Sequence, residues 1–231
     1  MPTQRYSKLS PEVRKRILAA AQAEFVAHGY ENASLNQIIQ AAGINKGSLY
    51  YYFEDKADLF ITVAREAESD MLRSMGLGSP AQIVSRPAGD FWEFIRQASR
   101  LKLDFALRFP AATRLLTEAY LLASRNGLPA FQEFLRQSSE ASRALLRTGQ
   151  EQGAVRRDLS LDTIMDLLYS LSDVLNRPLL EDPAWRDHYD PAELERYADL
   201  QLDMFKRMLQ APTEQPGGLS ISHPVNKARK E

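Results

Sequence analysis

Lys46, Gly47 and Ser48 follow Asn45 in an unbroken row, and Tyr50, Tyr51 and Tyr52 come directly after Leu49. An ammonium, a hydroxyl and three phenols within seven residues make a donor-rich surface suited to a polyanion. Lys46 can donate to guanine or to phosphate, Gly47 lets the backbone approach a partner closely, and the Ser48 hydroxyl can reach phosphate or base. Tyr50 and Tyr51 project one turn later and can press against thymine methyls or hydrogen-bond through their hydroxyls. Three consecutive tyrosines cannot share one helix face, so at least one also has a core reading. Ser34 and Lys56 sit at expected helix N-termini, where free N–H groups and the helix dipole favour phosphate; Ser34 can equally be a plain N-cap.

These side chains need short helices to hold them. Ser10-Pro11-Glu12 starts a first helix with apolar residues at Val13, Ile17, Ala21 and Phe25, which His28-Gly29 stops. Ser34 and Gln37 form a capping box for a second helix with Leu35, Ile38 and Ile39 inward, ended by Ala41-Ala42-Gly43. Asn45 caps a third helix over 46–53 that buries Leu49 and Phe53. Two short helices joined tightly spell helix-turn-helix. Asp55, answered by Asp58, opens a fourth helix reaching about Met75.

Beyond a Gly-, Ser- and Pro-rich loop from Gly76 to Gly89, only helical periods occur. Breaks at Phe109-Pro110, Asn126-Gly127, Gly153 and from Arg177 to Asp190 leave three helices before Gly153 and two after it, over roughly 160–176 and 191–209. The expected fold is all-α: an N-terminal three-helix helix-turn-helix domain (1–55, with a short flexible arm), a larger helical bundle (56–210, sharing the fourth helix) and a disordered tail (211–231), about nine helices in total. Gly153 and Asp158 or Ser160 are read as the end of one helix and the cap of the next.

Composition excludes much else. The chain has no Cys, and its three His, at 28, 188 and 223, lie far apart, so thiolate metal sites and a Cys nucleophile are ruled out. No phosphate-cradling Gly loop and no Gly-x-Ser-x-Gly elbow occurs, so neither an enzyme nor a cofactor is expected. Apolar segments are all interrupted by charge and the start of the chain is polar, which predicts a cytoplasmic protein without membrane association. Net charge is −1 over the 231 residues, yet from Met1 to Phe53 Arg5, Lys8, Arg14, Lys15, Arg16 and Lys46 outweigh Glu12, Glu24 and Glu31 by three. That local basic bias suits DNA, although Arg14 to Arg16 also fit a solvated helix face.

The run from Ile38 to Lys56, with its Ala-Gly turn, Lys-Gly-Ser-Leu-Tyr stretch, aromatic pair before the acidic connector and closing Lys, resembles the recognition signature of the TetR family over about residues 10–60. Where the family often carries His, this chain has Tyr52, whose hydroxyl can still donate to phosphate. The resemblance implies a transcriptional regulator, by default a repressor, that binds double-stranded operator DNA as a homodimer and is released by a small-molecule effector. It further implies a dimer interface on the last two helices, for which Leu161, Ile164, Leu168, Leu171, Leu194, Tyr197, Phe205 and Met208 are candidates. An apolar or aromatic effector would sit among Phe94, Phe105, Tyr120, Phe131, Phe134 and Tyr169, with Trp92, Asp173 and Asn176 as lesser candidates. The alternative is a helical ligand-binding or protein-interaction module without operator binding, a reading lent some support by Glu54, Asp55 and Asp58 near the proposed DNA face.

Overall fold

The computed structural model describes residues 6–77, 90–126, 128–182 and 190–211; most of the expected 76–89 loop and the tail from 212 lie outside the described residues. Among the described residues the chain forms nine α-helices and no strand: α1 (Pro11–Asn32), α2 (Leu35–Ala42), α3 (Lys46–Tyr52), α4 (Lys56–Ser74), α5 (Phe91–Arg108), α6 (Pro110–Asn126), α7 (Pro129–Glu151), α8 (Leu161–Glu181) and α9 (Pro191–Leu209). The fold is all-α, with a helix-turn-helix at its N-terminal end.

Local chemistry sets the boundaries. The Ser10 hydroxyl accepts from the Val13 N–H at 3.4 Å with Pro11 behind it, and Ile17, Ala21 and Phe25, at four-residue spacing, are fully buried. Gly29 interrupts α1 with a φ of 70°, yet the chain turns helical again as far as Asn32, because the Ala33 N–H closes back onto the Gly29 carbonyl at 3.0 Å. At the start of α4 two carboxylates cap reciprocally: Asp55 accepts from the Asp58 N–H at 2.8 Å, and Asp58 accepts from the Glu54 N–H at 3.2 Å. α8 runs past the expected stop at Asn176 with Pro178 inside it. The carbonyl that Pro178 leaves without its helical donor belongs to Val174, a residue 60% exposed, so water can satisfy it. Ser160, not Asp158, caps α8, by accepting from Thr163 N–H at 3.1 Å; Asp158 is held by Arg156 at 2.7 and 2.5 Å.

One core runs from α1 through α4 into α6 and α7 without interruption. Its centre is aromatic: Phe60 meets Phe25 edge-on at 4.8 Å, Tyr30 at 5.3 Å and Phe131 at 5.7 Å, and Tyr30 meets Phe131 at 5.1 Å. A second cluster joins Phe91 and Trp92 of α5 to Leu146, Ile164, Met165, Leu202 and Phe205. Gly149 of α7 sits against this cluster so closely that a Cβ there would lie 2.7 Å from Phe91 Cε2 and from Val155 Cγ2. Gly149→Ala should therefore destabilise. Overpacking of about 1–3 kcal/mol opposes a helix-propensity gain of at most about 1 kcal/mol. A thermal melt should show a lower Tm; a rise would mean that the approach is looser than described.

Candidate nucleic-acid interface and internal cavity

The turn between α2 and α3 is built by Gly43, whose φ of 64° turns the chain so that the Ile44 N–H reaches back to the Ile39 carbonyl at 3.2 Å, and by Asn45, whose side chain accepts from the Ser48 N–H at 2.7 Å. Leu49 and Phe53 anchor α3 in the core at 2% and 1% exposure. Burying those two fixes the opposite face outward. Lys46 and Gly47 are exposed, and Tyr50 and Tyr51 remain 49% and 50% exposed. Lys46 Nζ lies 6.0 Å from the centre of the Tyr50 ring, so charge and phenol form one patch. Tyr52 is half-buried and meets Tyr51 edge-on at 5.2 Å, which makes it the tyrosine that leans on the core.

Ser34 caps α2 by accepting from the Gln37 N–H at 3.4 Å, while its own N–H is held by Glu24 at 2.9 Å. Its hydroxyl proton is left for an outside acceptor. Lys56 behaves differently from the expectation. Its ammonium donates to the Glu31 carbonyl at 2.8 Å and the Ala33 carbonyl at 3.4 Å, and lies 4.8 Å from the centre of the Tyr30 ring, tying the end of α1 to the start of α4. Of the acidic trio, Asp55 and Asp58 serve the α4 cap. Their charge therefore has a local cause that requires no protein partner. Arg14 packs over the Tyr6 ring, 4.9 Å from its centre, and Tyr6 packs on Phe53 at 5.1 Å.

Between α4 and the helices α5 to α9 lies a cavity of about 310 Å³. Phe94, Phe105, Tyr120 and Tyr169 of the expected ligand set line it, as do Trp92, Asp173 and Asn176. Phe131 and Phe134 do not line it. Both are completely buried in the core shared with α1 and α4. The Tyr120 and Tyr169 rings stack at 4.6 Å with an interplanar angle of 24°, and burial raises both phenol pKa values, so both stay protonated. Glu68 accepts from the Ser138 hydroxyl at 3.1 Å, and burial holds its carboxyl above the usual range. Lys102 also lines the cavity and was missed; a Lys four residues after Ala98, on an otherwise apolar helix face, was the available signal.

Of the residues expected at a dimer contact, Ile164, Leu194 and Phe205 are buried within the protomer, while Leu161, Leu168, Leu171, Tyr197 and Met208 are half-buried against the same clusters. Among the described residues of these helices, the large apolar side chains left exposed are Leu167 and Val174 on α8 and Leu200 and Met204 on α9. Among the described residues no helix is long and apolar enough to cross a membrane.

A short helix anchored by its buried face and presenting lysine, serine and tyrosine from the other defines a helix-turn-helix protein. The N-terminal domain is that of the TetR family: residues 17–63 match the family model described as bacterial regulatory proteins, tetR family. Over 161 residues, 68% of this chain and 71% of the relative, the sequence is 25% identical to the probable acrEF/envCD operon repressor of Escherichia coli K12. Over 160 residues, 69% of this chain and 78% of the relative, it is 24% identical to the HTH-type transcriptional repressor AcnR of Corynebacterium glutamicum. A putative tetR family transcription regulator from Shewanella sp. PV-4 shares the fold with a TM-score of 0.66, at 17% identity over 88% of this chain and 100% of that one. Together with the helix-turn-helix, these likenesses support a DNA-binding regulator.

Proposed function

We propose that the protein is a sequence-specific repressor that binds operator DNA as a homodimer and is released from it by a small molecule held in the internal cavity. The observation that carries the DNA half is the exposed patch of Lys46, Gly47, Tyr50 and Tyr51, with half-buried Ser48 beside it, on a helix whose other face is locked into the core. Ser34 and Tyr52 are assigned to phosphate contacts at its margin, and Lys56 acts beside them chiefly by fixing α1 against α4. We divide the chain into a DNA-binding part over 1–55 and an effector and dimerisation part over 56–210, in a cytoplasmic protein.

The coupling route is contiguous. α4 contributes Glu68, Met71, Leu72 and Met75 to the cavity wall and Leu59, Phe60 and Val63 to the core beneath the helix-turn-helix. α6 lines the cavity with Leu116, Thr117 and Tyr120, and between them Glu118 accepts the Tyr30 N–H at 2.6 Å. A ligand that favours one arrangement of α4 and α6 would change the spacing of two recognition helices, and operator and effector would then oppose each other by linkage.

One half-site read by one short helix gives little affinity, so a second copy is required. We assign the interface to α8 and α9, centred on Leu167, Val174, Leu200 and Met204, with Tyr197 and Met208 at its edge. Leu200→Arg should convert the dimer to a monomer in sedimentation equilibrium with little change in far-UV circular dichroism, because Leu200 is 50% exposed in the protomer. A dimer that persists would place the interface elsewhere. The function itself is tested by immunoprecipitating the tagged protein from its native cells and sequencing the bound DNA: a few sharp peaks, lost in Tyr50→Ala, are expected. An absence of peaks above background would favour a protein-interaction module.

A further inference from the structure

Three charged side chains line the cavity: Glu68, Lys102 and Asp173. Two are engaged, Glu68 by the Ser138 hydroxyl at 3.1 Å and Asp173 by Arg177 at 2.6 Å. Lys102 has neither a hydrogen bond nor an ion pair among the described residues. It occupies the cavity face of α5, in register with Phe91, Ile95, Ala98 and Phe105, so an ammonium interrupts a stripe that is otherwise apolar. Lys102 is an exposed residue that lines the cavity, and the helices packed around it desolvate it enough to lower its pKa below the ordinary lysine value.

We infer that the cavity takes an amphipathic anion: an apolar chain or ring carrying one carboxylate, with the Lys102 ammonium as its counter-ion. This rests on the effector reading and names its ligand class. An ammonium partly desolvated by its neighbours and without a counter-charge is disfavoured, and an incoming carboxylate offsets that while gaining a charge-assisted hydrogen bond. The walls supply the rest, with Phe94, Leu101, Leu116 and the stacked Tyr120 and Tyr169 offering apolar area for the ligand body. A cationic ligand would face Lys102 with both carboxylates already engaged, and a neutral one would leave the ammonium uncompensated.

The test is calorimetric titration of the full-length dimer with three probes sharing one tail: decanoate, decanol and decylammonium. Decanoate should bind at least about tenfold more tightly than decanol, and decylammonium weakest. Lys102→Met and Lys102→Gln should each weaken decanoate by roughly ten- to a hundredfold while leaving decanol within about threefold, and Lys102→Arg should keep most of the affinity. Thermal melts of the three variants check that they fold. Equal or tighter binding of decanol or decylammonium, or decanoate affinity unchanged in Lys102→Met and Lys102→Gln, would overturn the anion inference and leave an effector cavity standing. Failure of all three probes to bind would overturn both.

Discussion

Phe60→Ala should unfold the protein at a markedly lower temperature. Phe60 is completely buried and touches Phe25, Tyr30 and Phe131, which come from α1, from the last turn of α1 and from α7. Truncation removes the apolar contact and leaves a ring-sized hole that its three aromatic neighbours, held in two helices, cannot jointly fill, at a cost of about 3–5 kcal/mol. For a chain of this length that corresponds to a fall in Tm on the order of 10 °C, measured at fixed protomer concentration because dimerisation shifts the apparent value. Phe60→Leu should recover most of the loss. If Phe60→Ala melted within about 2 °C of the parent, the aromatic centre would not be what joins the helix-turn-helix to the helices behind it.

Tyr50→Ala should do the opposite: leave the melt unchanged and sharply weaken operator binding. The residue is half exposed and its ring lies 6.0 Å from the Lys46 ammonium, a weak surface contact, so stability should stay within about 0.5 kcal/mol. A lost base-edge contact costs about 1–3 kcal/mol per half-site, and two half-sites double it, which weakens the dimer by at least roughly thirtyfold. Tyr50→Phe separates the two ways a tyrosine can act. Retained binding would mean that the ring presses on thymine methyls, and loss would mean that the hydroxyl donates. A duplex affinity unchanged in Tyr50→Ala would remove α3 from the interface.

The helix-turn-helix was legible in the sequence because its determinants are local. Ser10, Ser34, Asn45 and Asp55 each cap the helix that follows, and each is read from a few consecutive residues. Leu49 and Phe53, four apart, fix which tyrosines face outward. Non-local choices were not legible. Phe131 and Phe134 have the same pattern as the cavity aromatics, yet the face they occupy meets α1 and α4, and nothing within α7 itself says which neighbour will cover it. On α8 and α9 an apolar stripe announces burial without distinguishing the protomer's own core from a partner, so Ile164 and Phe205 looked no different from Leu167 and Leu200. Lys102 is hidden in the sequence for a simpler reason: apolar periodicity counts only apolar residues, and the informative one is the charge that breaks the row.

The reading of this chain as an operator-binding regulator is tested most directly by fluorescence anisotropy of a labelled duplex from an occupied genomic site, against a scrambled duplex of equal length, at 50 and 200 mM salt. Operator affinity should exceed that for the scrambled sequence by on the order of a thousandfold and fall by roughly a thousandfold across that salt range, because phosphate contacts release counterions. Equal affinity for the two duplexes, or binding indifferent to salt, would contradict it.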